Sequence, residues 1–182
     1  MKTVYVKDRD AWRQWLSKNH DKETCVWLIY YKKASGKPRV SYNDAVDEAI
    51  CFGWIDSTVK RLDEERFAQR FTPRRPGSQF SEMNKERARR LIKKKKMTSA
   101  GMKTLPKDLN KKEKLVLAPD VLKALKADKD AWKNFQKFPE YYKRIRIAYV
   151  ENQRKHGQEN FEKALNYLVK MSSKNKRYGM LK

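Results

Sequence analysis

The spacing of apolar residues changes along the chain, and this change constrains the fold more than any other feature. Before Met102, strand-like and helix-like patterns alternate, whereas from Pro119 onward apolar residues recur only at helical spacing. At 182 residues the chain is long enough to bury a substantial core. We therefore predict an α+β fold, in which helices cover a small mixed or antiparallel sheet and an all-helical C-terminal subdomain follows.

The predicted domain limits follow from the same change of pattern. An α+β domain is expected over residues 1–102, a helical subdomain over residues 119–182, and a surface tether over residues 103–118 between them. Within the first domain, "TVYVKD" predicts a short edge strand and "TCVWLIYYKK" a central strand buried on both faces, because it is rich in β-branched and aromatic residues.

A helix and a hairpin are predicted after the central strand. In "VSYNDAVDEAICFGW" the apolar residues form one helical stripe, Ser41 is placed to cap the helix start and Gly53 to end it. The two stretches "WIDSTVKRL" and "RFAQRFTPRR" flank the turn candidate "DEE", which predicts a β-hairpin. The following "TPRRPGSQFSEMN" contains two prolines and a glycine, so we expect a loop.

The net charge points to anionic partners. Lys and Arg number 45 against 22 Asp and Glu, which gives +23. Such a charge attracts nucleic acid or anionic lipid, although solubility alone explains it equally well. The two Cys and two His residues are scattered and show no zinc-binding spacing, so we expect no metal ion and no cofactor.

The start of the chain and its apolar runs bear on location. "MKTVYVKDRDAW" lacks the apolar core of a signal peptide, and no run approaches the roughly 20 apolar residues that span a bilayer. We therefore expect a cytoplasmic protein with no integral membrane association, whose oligomeric state the sequence leaves open.

Two stretches carry a family resemblance. They are "VWLIYYKKASGKPRVSYNDAVDEAICFGWIDS" and "RFTPRRPGSQFSEMNKERARRLIKKKKMTSAGM", with the run F-G-W-I-D-S followed by P-R and S-x-x-N-K-x-R. On these residues the segment from Trp12 to Met102 resembles the bacteriocin-protection family, also called the YdeI or OmpD-associated family. The C-terminal third matches only in outline. The resemblance implies a cytosolic α+β protein that acts in stress or bacteriocin tolerance by binding, with no established enzymatic reaction.

The corner around Trp54 and the loop after the hairpin are candidates for a ligand site. Asp56 has a structural interpretation, as a cap or an acceptor for the "RRPGSQ" loop, and a functional one, in a pocket floored by Trp54. Backbone N–H groups at a helix start and nearby guanidinium groups suit a phosphate or carboxylate. The candidate ligand-binding residues are Trp54, Asp56, Ser57, Arg74, Arg75 and Ser78. No catalytic base is brought to them by spacing, so a nucleophilic catalytic site is not expected.

The stretch "KERARRLIKKKKM" is a candidate for binding DNA or RNA. Its candidate polyanion-binding residues are Lys85, Arg89, Arg90, Lys93, Lys94, Lys95 and Lys96. The alternative is a helix face that is merely solvated by its charges. Tyr141, Tyr142 and Tyr149 could stack single-stranded bases, but Tyr142, Ile145 and Tyr149 share helical spacing, which favours the core.

The predicted function is thus the binding of an anionic partner, with nucleic acid as the leading candidate. The alternatives are a small-anion sensor or enzyme that uses a pocket around Trp54, Asp56, Arg74 and Arg75, and a protein-binding adaptor.

Overall fold

A computed structural model describes residues 1–111 and 114–179. The chain forms two compact units, and each has its own apolar core. The first unit comprises Met1–Phe80 and Asn84–Leu109; the second comprises Ser81–Met83 and the described residues from Asn110 on. The predicted limits at residues 102 and 119 stay a prediction. Residues 112–113 of the predicted tether and 180–182 of the predicted subdomain lie outside the described residues.

A four-stranded mixed sheet confirms the α+β prediction for the N-terminal part. The strands are β1 (Thr3–Tyr5), β2 (Val26–Tyr31), β3 (Trp54–Arg61) and β4 (Arg66–Pro73), in the order β1-β2-β4-β3. β1 is the predicted edge strand and runs parallel to β2, whereas β3 and β4 form the predicted antiparallel hairpin. Only alternate residues of β2 are fully buried, against the expectation of burial on both faces, since a largely antiparallel sheet needs only one covered face.

Four helices accompany this sheet: α1 (Arg9–Asn19), α2 (Tyr42–Cys51), α3 (Glu82–Lys93) and α4 (Ser99–Lys103). A short 3-10 turn lies at Lys33–Ser35. The Ser41 hydroxyl accepts the Asp44 N–H, which confirms the predicted cap of α2. Gly53 has a positive φ of 75° just after α2, the conformation that ends a helix at lowest cost in glycine. The core of this unit includes Trp12 and Leu16, which are fully buried.

Gly101 holds α4 against the end of α2. A Cβ built on Gly101 would lie 2.1 Å from the carbonyl oxygen of Cys51, a distance that no side chain permits. Thr98 caps α4 and its hydroxyl donates to the same Cys51 oxygen at 2.7 Å. This close approach fixes where the chain that follows α4 runs, and that chain forms one wall of the site described below.

The second unit contains four helices in the described residues: α5 (Pro119–Ala127), α6 (Lys129–Lys137), α7 (Glu140–Gln153) and α8 (Gln158–Ser173), with a 3-10 turn at Arg154–His156. This confirms the predicted all-helical C-terminal part. Tyr142 and Ile145 are buried, but Tyr149, which shares their spacing, is 48% exposed. None of the helices in the described ranges combines the length and apolar content needed to cross a membrane.

Candidate anion-binding site

A cavity of about 830 Å³ lies in the first unit, between the loop after β4 and the chain that follows α4. We call it the Arg74 pocket. Its charged lining residues are Arg74, Arg75, Lys85, Lys103, Lys107 and Asp108. Five cationic side chains against one carboxylate make the pocket strongly electropositive, so it favours anions.

Local sequence explains the first wall of the pocket. The Arg74 N–H donates to the Gly53 carbonyl at 2.9 Å, which ties the end of β4 to the end of α2. Gly77 then adopts a φ of 73°, and the Ser78 N–H donates to the Arg75 carbonyl at 3.1 Å. The Pro-Gly pair therefore forms a turn within the predicted loop and directs the chain back over the Arg74 side chain.

Arg74 is the residue of the pocket most suited to hold an anion, because it is buried and no carboxylate of the described residues forms an ion pair with it. The residue is only 7% exposed, and its guanidinium carbon lies 3.6 Å from the centroid of the Phe80 ring. Nη1 makes two long hydrogen bonds of 3.4 Å, to Ser78 Oγ and to the Gln79 carbonyl. Nε and Nη2 are buried and have no hydrogen-bond partner within the described ranges. An anion in the pocket would supply the missing acceptors.

Burial also changes the ionisation of this side chain. Desolvation lowers the pKa of Arg74 to about 10, and the carboxylate of Asp56 acts in the opposite direction. Arg74 therefore still carries its charge at neutral pH. A buried cation with open donors costs folding free energy, and a bound anion offsets that cost.

The remaining cations stand at the rim. Lys85 forms an ion pair with Asp108, with 3.5 Å between Nζ and Oδ2. Arg75, Lys103 and Lys107 are exposed, and none of the three pairs with a carboxylate within the part of the chain that the structure describes. The rim can therefore add to the attraction that Arg74 exerts on an anion.

The structure brings Arg74, Arg75 and Ser78 together, as predicted for the ligand site, but separates them from the corner at Trp54. Trp54 is 1% exposed and its indole N–H donates to the His20 carbonyl at 3.1 Å, so it is a core residue and not a pocket floor. The exposed Ser57 hydroxyl donates to the Arg70 carbonyl at 3.5 Å. Neither residue lines the pocket.

Asp56 belongs to a separate hydrogen-bonded group. Its Oδ2 accepts from the Tyr42 hydroxyl at 2.9 Å and from the Gln69 amide at 2.7 Å. The expected donors in the "RRPGSQ" loop are not among these partners. β4 carries Gln69 beside β3, and α2 begins with Tyr42, so both donors come from elements that pack on the strand of Asp56. Asp56 therefore has the structural role that the sequence suggested, but with other partners.

The predicted polyanion stretch divides into two parts. Glu86 pairs with both Arg89 and Arg90, at 3.6 and 3.0 Å, and the Arg89 guanidinium also donates to the Leu109 carbonyl at 2.6 Å. Lys85 faces the pocket. Lys93, Lys94, Lys95 and Lys96 are exposed, and the described residues offer them no carboxylate. Only these four lysines form the free basic surface that the sequence predicted for the whole stretch.

Sequence reasoning missed Phe80, Lys103 and Lys107 as pocket residues. Lys103 and Lys107 were assigned to the tether, because nothing in their own pattern shows that the chain packs beside the loop after β4. Gly101 was the available signal, since a glycine within a helical stretch often marks a close backbone approach. Among the described residues no group of His, Cys, Asp or Glu side chains is arranged to hold a metal ion.

The fold and the pocket thus define a two-unit protein with an electropositive cavity in its α+β unit. Comparison with protein-family models gives a separate match for each of the two parts of the chain. The model of a Domain of unknown function (DUF8412) matches residues 4–104, more than half of the chain, so the chain belongs to that family. The model described as Bacteriocin-protection, YdeI or OmpD-Associated matches residues 114–175.

The second match confirms the resemblance to the bacteriocin-protection family but corrects its position. That family's model matches the C-terminal segment, where the sequence had suggested only an outline, whereas the quoted stretches before Met102 lie in the domain of unknown function. The searches of curated proteins and of solved structures gave no significant match.

Proposed function

We propose that the first unit binds a small anion, bearing a phosphate or carboxylate group, in the Arg74 pocket. The observation that carries the proposal is the buried guanidinium of Arg74: within the described residues, two of its nitrogens, Nε and Nη2, have no hydrogen-bond partner, and no carboxylate forms an ion pair with it. Phosphate and carboxylate oxygens match the forked donors of arginine and accept two parallel hydrogen bonds from it.

The surroundings of Arg74 support an anion over a neutral ligand. The Phe80 ring fixes the guanidinium plane from one side, so few degrees of freedom remain to be lost on binding. Arg75, Lys103 and Lys107 are exposed residues of the pocket lining and raise the local concentration of anions. The cavity of about 830 Å³ is also within the size range of small-molecule sites.

The lining favours binding over catalysis. Among the described residues that line the pocket, Asp108 is the only carboxylate, and it pairs with Lys85. This described lining contains neither histidine nor cysteine, so it offers no ready general base or strong nucleophile. We therefore propose a binding protein. We also propose a role in bacteriocin tolerance, which only the family match supports, and a cytoplasmic location, which only the sequence supports.

A thermal-shift experiment with a panel of anions tests this function. Phosphate, pyrophosphate and citrate are compared with chloride at fixed ionic strength, on the wild type, Arg74→Met and Lys60→Gln. At ten times its Kd an anion should stabilise the wild type by about 1.4 kcal/mol. We expect this stabilisation to be absent in Arg74→Met and retained in Lys60→Gln. Lys60 is an exposed residue of β3 outside the pocket, so its variant controls for the loss of one positive charge.

Two outcomes would contradict the proposal. One is a response to the anions that is equal in the wild type and in Arg74→Met, because the effect would then come from general surface charge. The other is the absence of stabilisation by every anion of the panel at concentrations that saturate ordinary anion sites.

Nucleic acid remains the second candidate partner, favoured by the four exposed lysines at 93–96. Fluorescence anisotropy with labelled DNA and RNA over a salt series measures this function. Binding that weakens linearly on a log-log salt plot, with a slope reduced by about 3–4 when all four lysines become glutamine, would support it, because each phosphate contact contributes about 0.9 to the slope. Unchanged binding by the variant would exclude this surface.

A further inference from the structure

A row of aromatic and cationic side chains in the second unit lies outside both sites described so far. We call it the tyrosine–arginine surface and define it by Arg146, Tyr149, Tyr167 and Tyr178. The rings of Tyr167 and Tyr178 meet edge to face with centroids 4.8 Å apart. The guanidinium carbon of Arg146 lies 4.9 Å from the Tyr178 ring centroid and 5.7 Å from that of Tyr149. The four side chains therefore form one continuous row.

The two ends of this row face solvent. Tyr149 on α7 is 48% exposed and Tyr167 on α8 is 47% exposed, although most of the other aromatic residues of this unit are buried or half-buried. Two large aromatic side chains that remain exposed at the two ends of one contact network offer apolar surface that a partner can cover.

Arg146 supplies a cation between the two exposed rings. It is 7% exposed, its Nε has no hydrogen-bond partner within the described ranges, and no carboxylate there forms an ion pair with it. Gly179 allows the chain to cross the guanidinium, because a Cβ at that position would lie 2.7 Å from Nη1. The positive charge of Arg146 is thus held by aromatic rings and not neutralised by a carboxylate.

The end of α8 adds exposed positive charge beside Tyr167. Lys170, Lys174, Lys176 and Arg177 are exposed, and the described residues pair none of them with a carboxylate. Arg177 donates to the Tyr141 hydroxyl at 3.2 Å. The acidic residues of α8, Glu159 and Glu162, are in its first turns, at the other end of the helix. Over residues 110–182 the sequence has 19 Lys and Arg against 8 Asp and Glu.

We propose that the tyrosine–arginine surface binds single-stranded nucleic acid. Unpaired bases stack on the faces of Tyr149 and Tyr167, while Arg146 and the cations at the end of α8 attract the phosphates. Aromatic platforms combined with a basic track, and without base-specific donors, are the usual means of holding single strands without sequence preference. A duplex keeps its bases stacked on each other, so it cannot use the exposed rings in this way. The proposal is independent of the Arg74 pocket.

The test measures the affinity of the full chain for labelled single strands of oligo(dT) and oligo(U), and for a duplex of equal length, by fluorescence anisotropy. The variants are Tyr149→Ala and Tyr167→Ala, with Tyr149→Phe and Tyr167→Phe as matched controls that keep the rings. Each alanine variant should weaken single-strand binding by about five-fold or more. The phenylalanine variants keep the rings, so their affinity for single strands should stay within about two-fold of the wild type. The duplex should bind more weakly than the single strands.

The variant in which the four lysines at 93–96 become glutamine distinguishes this surface from the basic stretch at the end of α3. The proposal expects the single-strand preference to persist in that variant. Equal affinity for single strand and duplex, with no loss in either alanine variant, would overturn the proposal, as would the absence of binding at low salt. Because Tyr149 is exposed, its alanine variant should melt like the wild type, so a loss of affinity in that variant cannot be ascribed to unfolding.

Discussion

Two buried arginines of the first unit, Arg87 and Arg74, carry the same charge but are stabilised differently. Arg87 is 3% exposed and lies 2.5 Å from a carboxylate oxygen of Asp47, while its other terminal nitrogen donates to the Asn43 side chain at 2.6 Å. Arg74 is almost as buried, but no carboxylate of the described chain pairs with it. The charge of Arg87 is therefore used within the fold, whereas that of Arg74 remains available to a ligand.

In a chain with so many positive charges, a basic residue can either stabilise the fold or bind a ligand. Arg87 lies in the run "KERARRLIKKKK", which has the sequence of a solvated surface, yet it ties α3 to α2. Arg74 lies in a loop that looks irregular, yet its backbone N–H is bound to Gly53 and its side chain is covered by Phe80. Burial and pairing, and not the density of charge in the sequence, distinguish a structural arginine from a candidate binding residue.

The largest effect is expected on removing the arginine that is paired. Arg87→Met leaves Asp47 and the Asn43 side chain without their partner, so the free energy of unfolding should fall by about 3 kcal/mol. Urea unfolding followed by circular dichroism measures the change, with the exposed Lys94→Met as the control. A loss below about 1 kcal/mol is typical of an exposed ion pair, and it would contradict the structural role assigned to Arg87.

A smaller loss is expected at Asp56, which lies near Arg74 but bonds elsewhere. Asp56→Asn weakens the hydrogen bonds from Tyr42 and Gln69, and should lower the free energy of unfolding by about 1–2 kcal/mol. The phosphate-induced thermal shift should be unchanged, because Asp56 does not line the pocket. A variant of normal stability that no longer responds to phosphate would extend the binding site to this carboxylate.

The pH dependence of stability tests whether Tyr42 and Asp56 interact within the fold. Burial and the neighbouring Asp56 carboxylate raise the pKa of Tyr42 to about 12. A group with a raised pKa stabilises the fold fully below its ordinary pKa of about 10, and this contribution is lost as the pH rises through about 12. The stability advantage of the wild type over Tyr42→Phe should therefore be constant near neutral pH and decline above pH 10. Unfolding by urea at a series of alkaline pH values measures it, and a constant difference would contradict the assignment.

The smallest effect on stability is expected at the unpaired arginine. Arg74→Met removes a desolvated charge together with its contact to Phe80, and these changes act in opposite directions. Without anions, its free energy of unfolding should lie within about 1 kcal/mol of the wild type. The same urea experiment in chloride buffer measures it. A loss as large as that of Arg87→Met would mean that Arg74 also serves the fold.

Local features of the fold could be read from the sequence, and long-range ones could not. The Ser41 cap, the turn at Gly53 and the β3–β4 hairpin depend on residues only a few positions apart, and all three were predicted. The partner of Arg87 lies 40 positions earlier in the chain, at Asp47, so its burial has no signature in its own stretch. Residues 103–108 were assigned to a tether because the contacts that bring them beside the loop after β4, such as the packing of Gly101 on Cys51, are long-range ones.

The candidate site shows the same division. Arg74, Arg75 and Ser78 were identified because guanidinium groups beside a helix start are a recognisable anion-binding pattern. Trp54 was added to them as a pocket floor, but β3 buries its ring in the core and ties it to His20. Tyr149 was expected in the core on its spacing, yet α7 leaves it exposed, because helical spacing gives the angle of a side chain around the axis and not the extent of the neighbouring helices.

Binding of an anion by the buried guanidinium of Arg74 is measured by isothermal titration calorimetry of pyrophosphate into the wild type, Arg74→Met and Lys60→Gln. We expect a saturable single-site isotherm for the wild type and Lys60→Gln, and no saturable binding for Arg74→Met. Indistinguishable isotherms for the wild type and Arg74→Met would contradict it, because the buried guanidinium would then contribute nothing to anion binding.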